Sequence, residues 1–197
     1  MSSVVDLDRR AVEVSAGIAA RITPGQLTWP TPCVGWNLGD LLSHMIAQHY
    51  GFAAAAEGNG ADASAWQVHP VAAEPSSAYA AAADRVIAAF APAGVLQRSF
   101  WLPEIRGGIS VRAGTAIGFH LVDYVAHGWD VAAALGVPAD YPPDVVAAAL
   151  AIAEQVPDDA TRLAAGSAFQ PAHPVPAGET PIRRMLLLLG RSPSWPG

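Results

Sequence analysis

The stretch from Phe119 to Asp130 holds ionisable side chains at helical spacing: His120, Asp123, Tyr124, His127 and Asp130. At 3.6 residues per turn, His120, Asp123 and His127 share one side of a helix, with Tyr124 and Asp130 at its margins. Leu121, Val122, Val125, Trp129 and Ala132 lie roughly opposite. The ionisable side carries no Lys or Arg, unlike an ordinary solvated helix face. Asp123 and His127 stand one turn apart, a spacing that lets a carboxylate and an imidazole share a metal ion. A third ligand must then come from another helix, and His44 and His49 are the candidates. Three protein ligands leave positions open for water or substrate, as catalytic sites require. The same spacing also suits a hydrogen-bonded pair on a helix face. It suits metal-free acid/base chemistry too, by His120 or His127 with Asp123 fixing the tautomer.

Other reactive types are less persuasive. Cys33 has no nearby base in sequence and reads as a small buried hydrophobe. His69 and His173 each precede proline in loops and read as exposed. Trp29, Trp36 and Trp129 read as core, and Arg183 with Arg184 as a solvated face. Arg106 and Arg112 flank Gly107 and Gly108 just before the stretch above, where they are candidates for meeting an anionic substrate or cofactor.

The elements that must position these residues are helices. Ser2 or Ser3 caps a first helix whose apolar positions Val4, Leu7, Ala11, Val14, Ile18 and Ile22 recur at three- and four-residue steps. An ordered loop spans Trp29 to Trp36, and Asn37 caps a second helix to about Glu57, with Asp40 favouring its positive end. In that helix His49 falls inside the stripe of Leu38, Leu41, Leu42, Met45 and Phe52, and His44 lies at its edge; periodicity does not decide which reaches the fourth helix. A third helix begins near Ser76 or Ser77 and ends before Pro92, and a loop or short hairpin fills Val95 to Gly114. A fourth runs from about Ala113 to Leu135, a fifth from Pro143 or Asp144 to about Val156, and a last short one from Pro181 to Leu189. The proline-containing stretch 157–178 is expected to lie extended over the bundle. The expectation is a single all-α domain, 1–197, built as a helical bundle with irregular loops.

Composition narrows the function classes. The chain has 197 residues, 52% of them hydrophobic, and a formal net charge of -6, with 11 basic residues that are all arginine. That balance, without a basic run, argues against nucleic acid as a partner. A single cysteine excludes an internal disulfide framework, and the acidic N-terminus does not read as an export signal. The apolar run Met185 to Leu189 is too short to span a bilayer, so a cytoplasmic protein without membrane partners is expected.

Three blocks resemble one family. They are Thr31-Pro32-Cys33-x-Gly35-Trp36-x-x-x-Asp40-Leu41-Leu42-x-His44, then Asp123-x-x-x-His127-Gly128-Trp129-Asp130-x-Ala132, then the tail from Pro174 through Leu189-Gly190-Arg191 to Trp195. In that order they resemble the actinobacterial metal-binding proteins of the DinB-like superfamily, which includes the mycothiol-dependent maleylpyruvate isomerases. The resemblance runs from the second helix to the C-terminus. It implies a DinB-like four-helix bundle with a divalent ion, zinc or nickel, on His44, Asp123 and His127. Where the isomerases carry Glu-x-x-x-His this chain has Asp123, and no separate C-terminal domain of the kind they add is expected within 1–197.

The resemblance thus implies a metal-dependent enzyme of small molecules, a transferase or isomerase using a thiol, with mycothiol as the thiol suggested. His120, His49 and Tyr124 would serve as proton-transfer or supporting groups. Two rival readings remain: a metal-free acid/base cyclase or isomerase of secondary metabolism using His120, Asp123 or Tyr124, and a non-catalytic metal- or ligand-binding protein. The oligomeric state is open, a homodimer among the options.

Overall fold

In the computed structural model, which describes residues 2–71, 73–105, 107–164 and 167–196, six helices and one hairpin follow each other along the chain. They are α1 (Val4–Ala19), α2 (Leu38–Ala56), α3 (Pro75–Phe90), β1 (Ser99–Leu102), β2 (Ile109–Arg112), α4 (Ala113–Leu135), α5 (Pro143–Ala153) and α6 (Pro181–Leu188). Helices α1 to α4 form the bundle, α1 lying along α4 and α2 along α3, with α2 also against α4. This is the all-α, DinB-like architecture.

Local chemistry explains most of the boundaries. The Ser3 hydroxyl accepts the Asp6 amide to start α1. Asn37 and Asp40 cap each other's backbone amides reciprocally at the start of α2. Gly136, at φ +66°, ends α4 in the left-handed conformation that a side chain resists. Helix α3 begins at Pro75, a residue or two before the serines. Helix α1 stops at Ala19 and α5 at Ala153, each three residues short of the last apolar position. Chain between Val95 and Gly114 resolves into the short hairpin, with Phe100 opposite Val111 and its inward Phe100 and Leu102 fully covered.

Two apolar clusters hold the helices. Leu38, Leu41, Met45, Tyr79, Val86, Phe90 and Ile117, from α2, α3 and α4, join with Val12 and Ile18 of α1 in the first. Leu121, Val125, Val145, Met185 and Leu189 join the outer face of α4 to α5 and α6. The segment after α5 is held by Arg162, which is buried and donates to the carbonyls of Val156, Pro157, Gln170 and Leu188. No helix among the described residues is long and apolar enough to cross a membrane.

The tryptophans depart from the expected core. Trp29 and Trp36 are 41% and 37% exposed, because the loop between them lies on the surface over the end of the bundle. Trp129 is half-buried against the second cluster.

Candidate active site

Beside the bundle, the loop before α2, the hairpin, α4, the end of α5 and the C-terminal segment enclose a cavity of about 1170 Å³. His44 and Gln48 reach it from α2, Asp123 and His127 from α4, and Cys33 and Trp36 from the loop. That loop is closed by the Thr31 hydroxyl, which donates to the Trp36 carbonyl (2.9 Å) and accepts the Cys33 amide (3.2 Å). The Trp36 indole then sits 4.8 Å from the His44 ring and 6.2 Å from that of His127, both centroid to centroid.

Donor atoms of His44, Asp123 and His127 lie within 4.8 Å of one another. His127 Nε2 is 3.4 Å from Asp123 Oδ1, and its Nδ1 is 3.0 Å from Asp130 Oδ2. Asp130 also accepts from Arg191 Nη2 at 3.2 Å and from the Cys33 thiol at 3.0 Å. Burial pulls the His44 pKa down to about 4, with the neighbouring His127 acting the same way, so at neutral pH it offers a lone pair rather than a charge. Burial would lower His127 as well, but Asp123 and Asp130 with Cys33 outweigh it and raise the imidazole to about 10. Burial likewise works to raise Asp130, and Arg191 and His127 overcome it, leaving the carboxyl at about 2.

This donor set fits a divalent ion. Two imidazoles and a carboxylate are a common catalytic set, and Asp130 on Nδ1 leaves His127 Nε2 as the atom that faces Asp123. A second group, Cys33, His127 and Asp130, is equally close, but the Arg191 guanidinium already lies against all three. That cation fills the role an ion would take there.

A family model described as the mycothiol maleylpyruvate isomerase N-terminal domain matches residues 9–132. The chain belongs to this family. The match begins within α1 and ends within α4, and it takes in the positions of His44, Asp123 and His127. Proteins from two strains of Mycobacterium tuberculosis, both described as uncharacterized, are 29% identical over 193 residues, covering 93% of this chain and 95% of theirs. A crystal structure of the mycothiol-dependent maleylpyruvate isomerase superposes with a TM-score of 0.58 at 12% identity, over 79% of this chain and 73% of that one. At that identity the likeness speaks for the fold.

Within this family member, the ionisable face of α4 is divided between two environments. Asp123 and His127 border the cavity, whereas His120 and Tyr124 turn into the bundle. His120 Nδ1 lies 2.7 Å from Asp8 Oδ1 of α1, and its Nε2 lies 3.2 Å from His49 Nδ1 of α2. The His49 ring stacks on Tyr124 at 3.9 Å, and the Tyr124 hydroxyl donates to the Met45 carbonyl. All three are fully buried and none borders the cavity, so His120, His49 and Tyr124 form an internal polar network. The cause is packing: at their level α4 is covered by α1 and α2. Arg112 is exposed at the end of β2 and does not border the cavity, and Arg106 lies outside the described residues.

Sequence reasoning missed the roles of five residues. Cys33 has an acid and an imidazole beside it after all, both from α4 and nearly a hundred residues away. Asp130 stood at the margin of the ionisable face and Arg191 only in a motif, and their pairing joins positions 61 residues apart. Glu104 and Gln48 carried no signal. Gln48 Nε2 donates to both Glu104 carboxylate oxygens, at 2.9 and 3.0 Å.

Proposed function

We propose that this protein is a thiol-dependent enzyme of small molecules, a transferase or isomerase that takes mycothiol and a divalent ion, zinc or nickel. The observation that carries this reading is the convergence of His44, Asp123 and His127 at the wall of a cavity of about 1170 Å³. Pockets for one drug-sized ligand run to roughly 1,000 Å³, so this one has room for a thiol and an acceptor side by side. The family supplies the thiol: the enzyme named in the matching model and in the similar crystal structure depends on mycothiol.

His44, Asp123 and His127 would hold the ion. When bound, it supplies positive charge that deprotonates a coordinated thiol at neutral pH. The protein's own part is positional. Asp130 keeps the proton of His127 on Nδ1, and Arg191 keeps Asp130 ionised. Trp36 lies over both histidines and shields that end of the cavity from water. Phe119 and Val122 present apolar surface beside Asp123. Asp123, one methylene shorter than glutamate, reaches the site from the turn before His127.

The test is metal analysis of purified protein after zinc or nickel loading, with thiol-conjugation assays before and after chelation. About one ion per chain is expected, lost in His44→Ala and Asp123→Ala, with conjugation abolished by chelator and restored by the ion. An ion content below about a tenth per chain after loading would overturn the metal-dependent reading. Conjugation that persists in the chelated protein would overturn the role given to the ion.

A further inference from the structure

The charge around the cavity has a bearing on what enters it. Its border holds the Arg191 guanidinium and the His127 imidazole, and each already lies against a carboxylate of the protein. Arg191 is buried and gives its Nη1 to the Leu189 carbonyl and its Nε and Nη2 to Asp130, so its charge is spent inside the protein. No other arginine among the described residues borders the cavity. Glu104 borders it from an exposed position, and among the described residues its side chain meets no cation, being hydrogen-bonded to the neutral amide of Gln48. Burial holds the Glu104 carboxyl above the usual carboxylate range; Gln48 draws it back, and the charge of Asp123 pushes the same way as burial. The remaining border is mainly apolar, with Trp36, Phe52, Phe119, Val122, Ile152 and Phe169 among its side chains.

We propose that Glu104, together with an Arg191 already committed to Asp130, makes this cavity select an uncharged, mainly apolar acceptor molecule, such as an ester or a nitroaromatic, and reject a dicarboxylate. The selection is electrostatic. A dianion entering the cavity meets the exposed Glu104 and the Asp123 carboxylate with no free guanidinium among the described residues to receive it, and the mainly apolar walls cannot replace the hydration it loses. A divalent ion on His44, Asp123 and His127 does not reverse the sign, since Asp123 and a thiolate beside it cancel its charge while Glu104 stays. The first turn of α4 borders the cavity at Gly114 and Thr115, and its amides favour an anion. The proposal ranks the Glu104 carboxylate above it. It deepens the thiol-transfer reading by naming the class of acceptor, but the selection itself is a property of the cavity.

The experiment compares dimethyl phthalate with phthalate, a matched pair that differs in charge and does not consume thiol. Binding is read by isothermal titration calorimetry and by quenching of tryptophan fluorescence on the full chain without added metal. The diester is expected to bind at least about tenfold tighter than the dianion. In Glu104→Gln, phthalate is expected to gain several-fold while the diester is unchanged. Phthalate binding as tightly as the diester, no detectable diester binding, or an unchanged preference in Glu104→Gln would each overturn the proposal. The wild-type comparison stands whatever the variant does. Because no thiol or turnover enters the measurement, a failed conjugation assay leaves its result intact, and the reverse holds as well.

Discussion

Asp130 Oδ2 takes the Nδ1 proton of His127 at 3.0 Å and Arg191 Nη2 at 3.2 Å, so a single buried oxygen orients an imidazole and neutralises a guanidinium. Helix α4 and the C-terminal segment are tied together at that atom. The His127 ring is thereby held with Nε2 toward Asp123 and the cavity.

Asp130→Asn keeps the shape and removes the charge. Its affinity for zinc should fall roughly 10- to 100-fold, measured by competition with a chelating dye. The melting temperature should fall too, since Arg191 is left buried without its carboxylate. Unchanged zinc affinity would show that Asp130 serves only Arg191.

Cys33→Ser and His44→Ala distinguish the two clusters that share His127. Elemental analysis after zinc loading should find the ion retained in Cys33→Ser and lost in His44→Ala. The opposite pattern would put the ion where the Arg191 guanidinium lies.

The buried network predicts acid sensitivity. His49 faces His120, Tyr79 and Tyr124, with Asp8 beyond His120. Burial, seconded by His120, holds its pKa well below 6.5. The unfolded chain takes up a proton near pH 6.5 and the native chain does not, so this contribution is full above pH 6.5 and is lost as pH falls below it. The slope approaches about 1.4 kcal/mol per pH unit for one proton. Urea unfolding between pH 7 and pH 5 should show a steeper loss in the native sequence than in His49→Phe. Parallel curves would mean that His49 is protonated in the folded core.

Gly128 marks a close approach between helices. A Cβ there would lie 1.9 Å from the Tyr141 hydroxyl oxygen and 3.1 Å from Ser15 Cβ of α1. That hydroxyl donates to the Tyr124 carbonyl at 2.9 Å, so it cannot swing away without losing its partner. Gly128→Ala should cost about 2 to 3 kcal/mol in urea unfolding, from overpacking. A native midpoint would mean that Tyr141 has room to move.

Much of the architecture was readable along the chain. Helical periodicity located all six helices, and Asn37 with Asp40 and Gly136 marked ends that the structure confirms. The limits of α1 and α5 were misjudged because apolar residues such as Ile22 and Val156 continue past the helix and pack from irregular backbone. Trp29 and Trp36 were read as core from their size, yet they sit in a surface loop. At the site, Asp123 and His127 were adjacent by spacing alone, whereas the choice of His44 over His49 needed the resemblance.

A one-dimensional period reports which side chains share a face of a helix, and for this protein that was enough to mark His120, Asp123 and His127 as a group. It does not report what covers that face at each level. Packing decides that: α1 and α2 close over His120 and join it to Asp8 and His49, while the space beside Asp123 and His127 stays open as a cavity. Pairings such as Asp130 with Arg191, or Gln48 with Glu104, join residues more than fifty positions apart and exist only once the helices have docked.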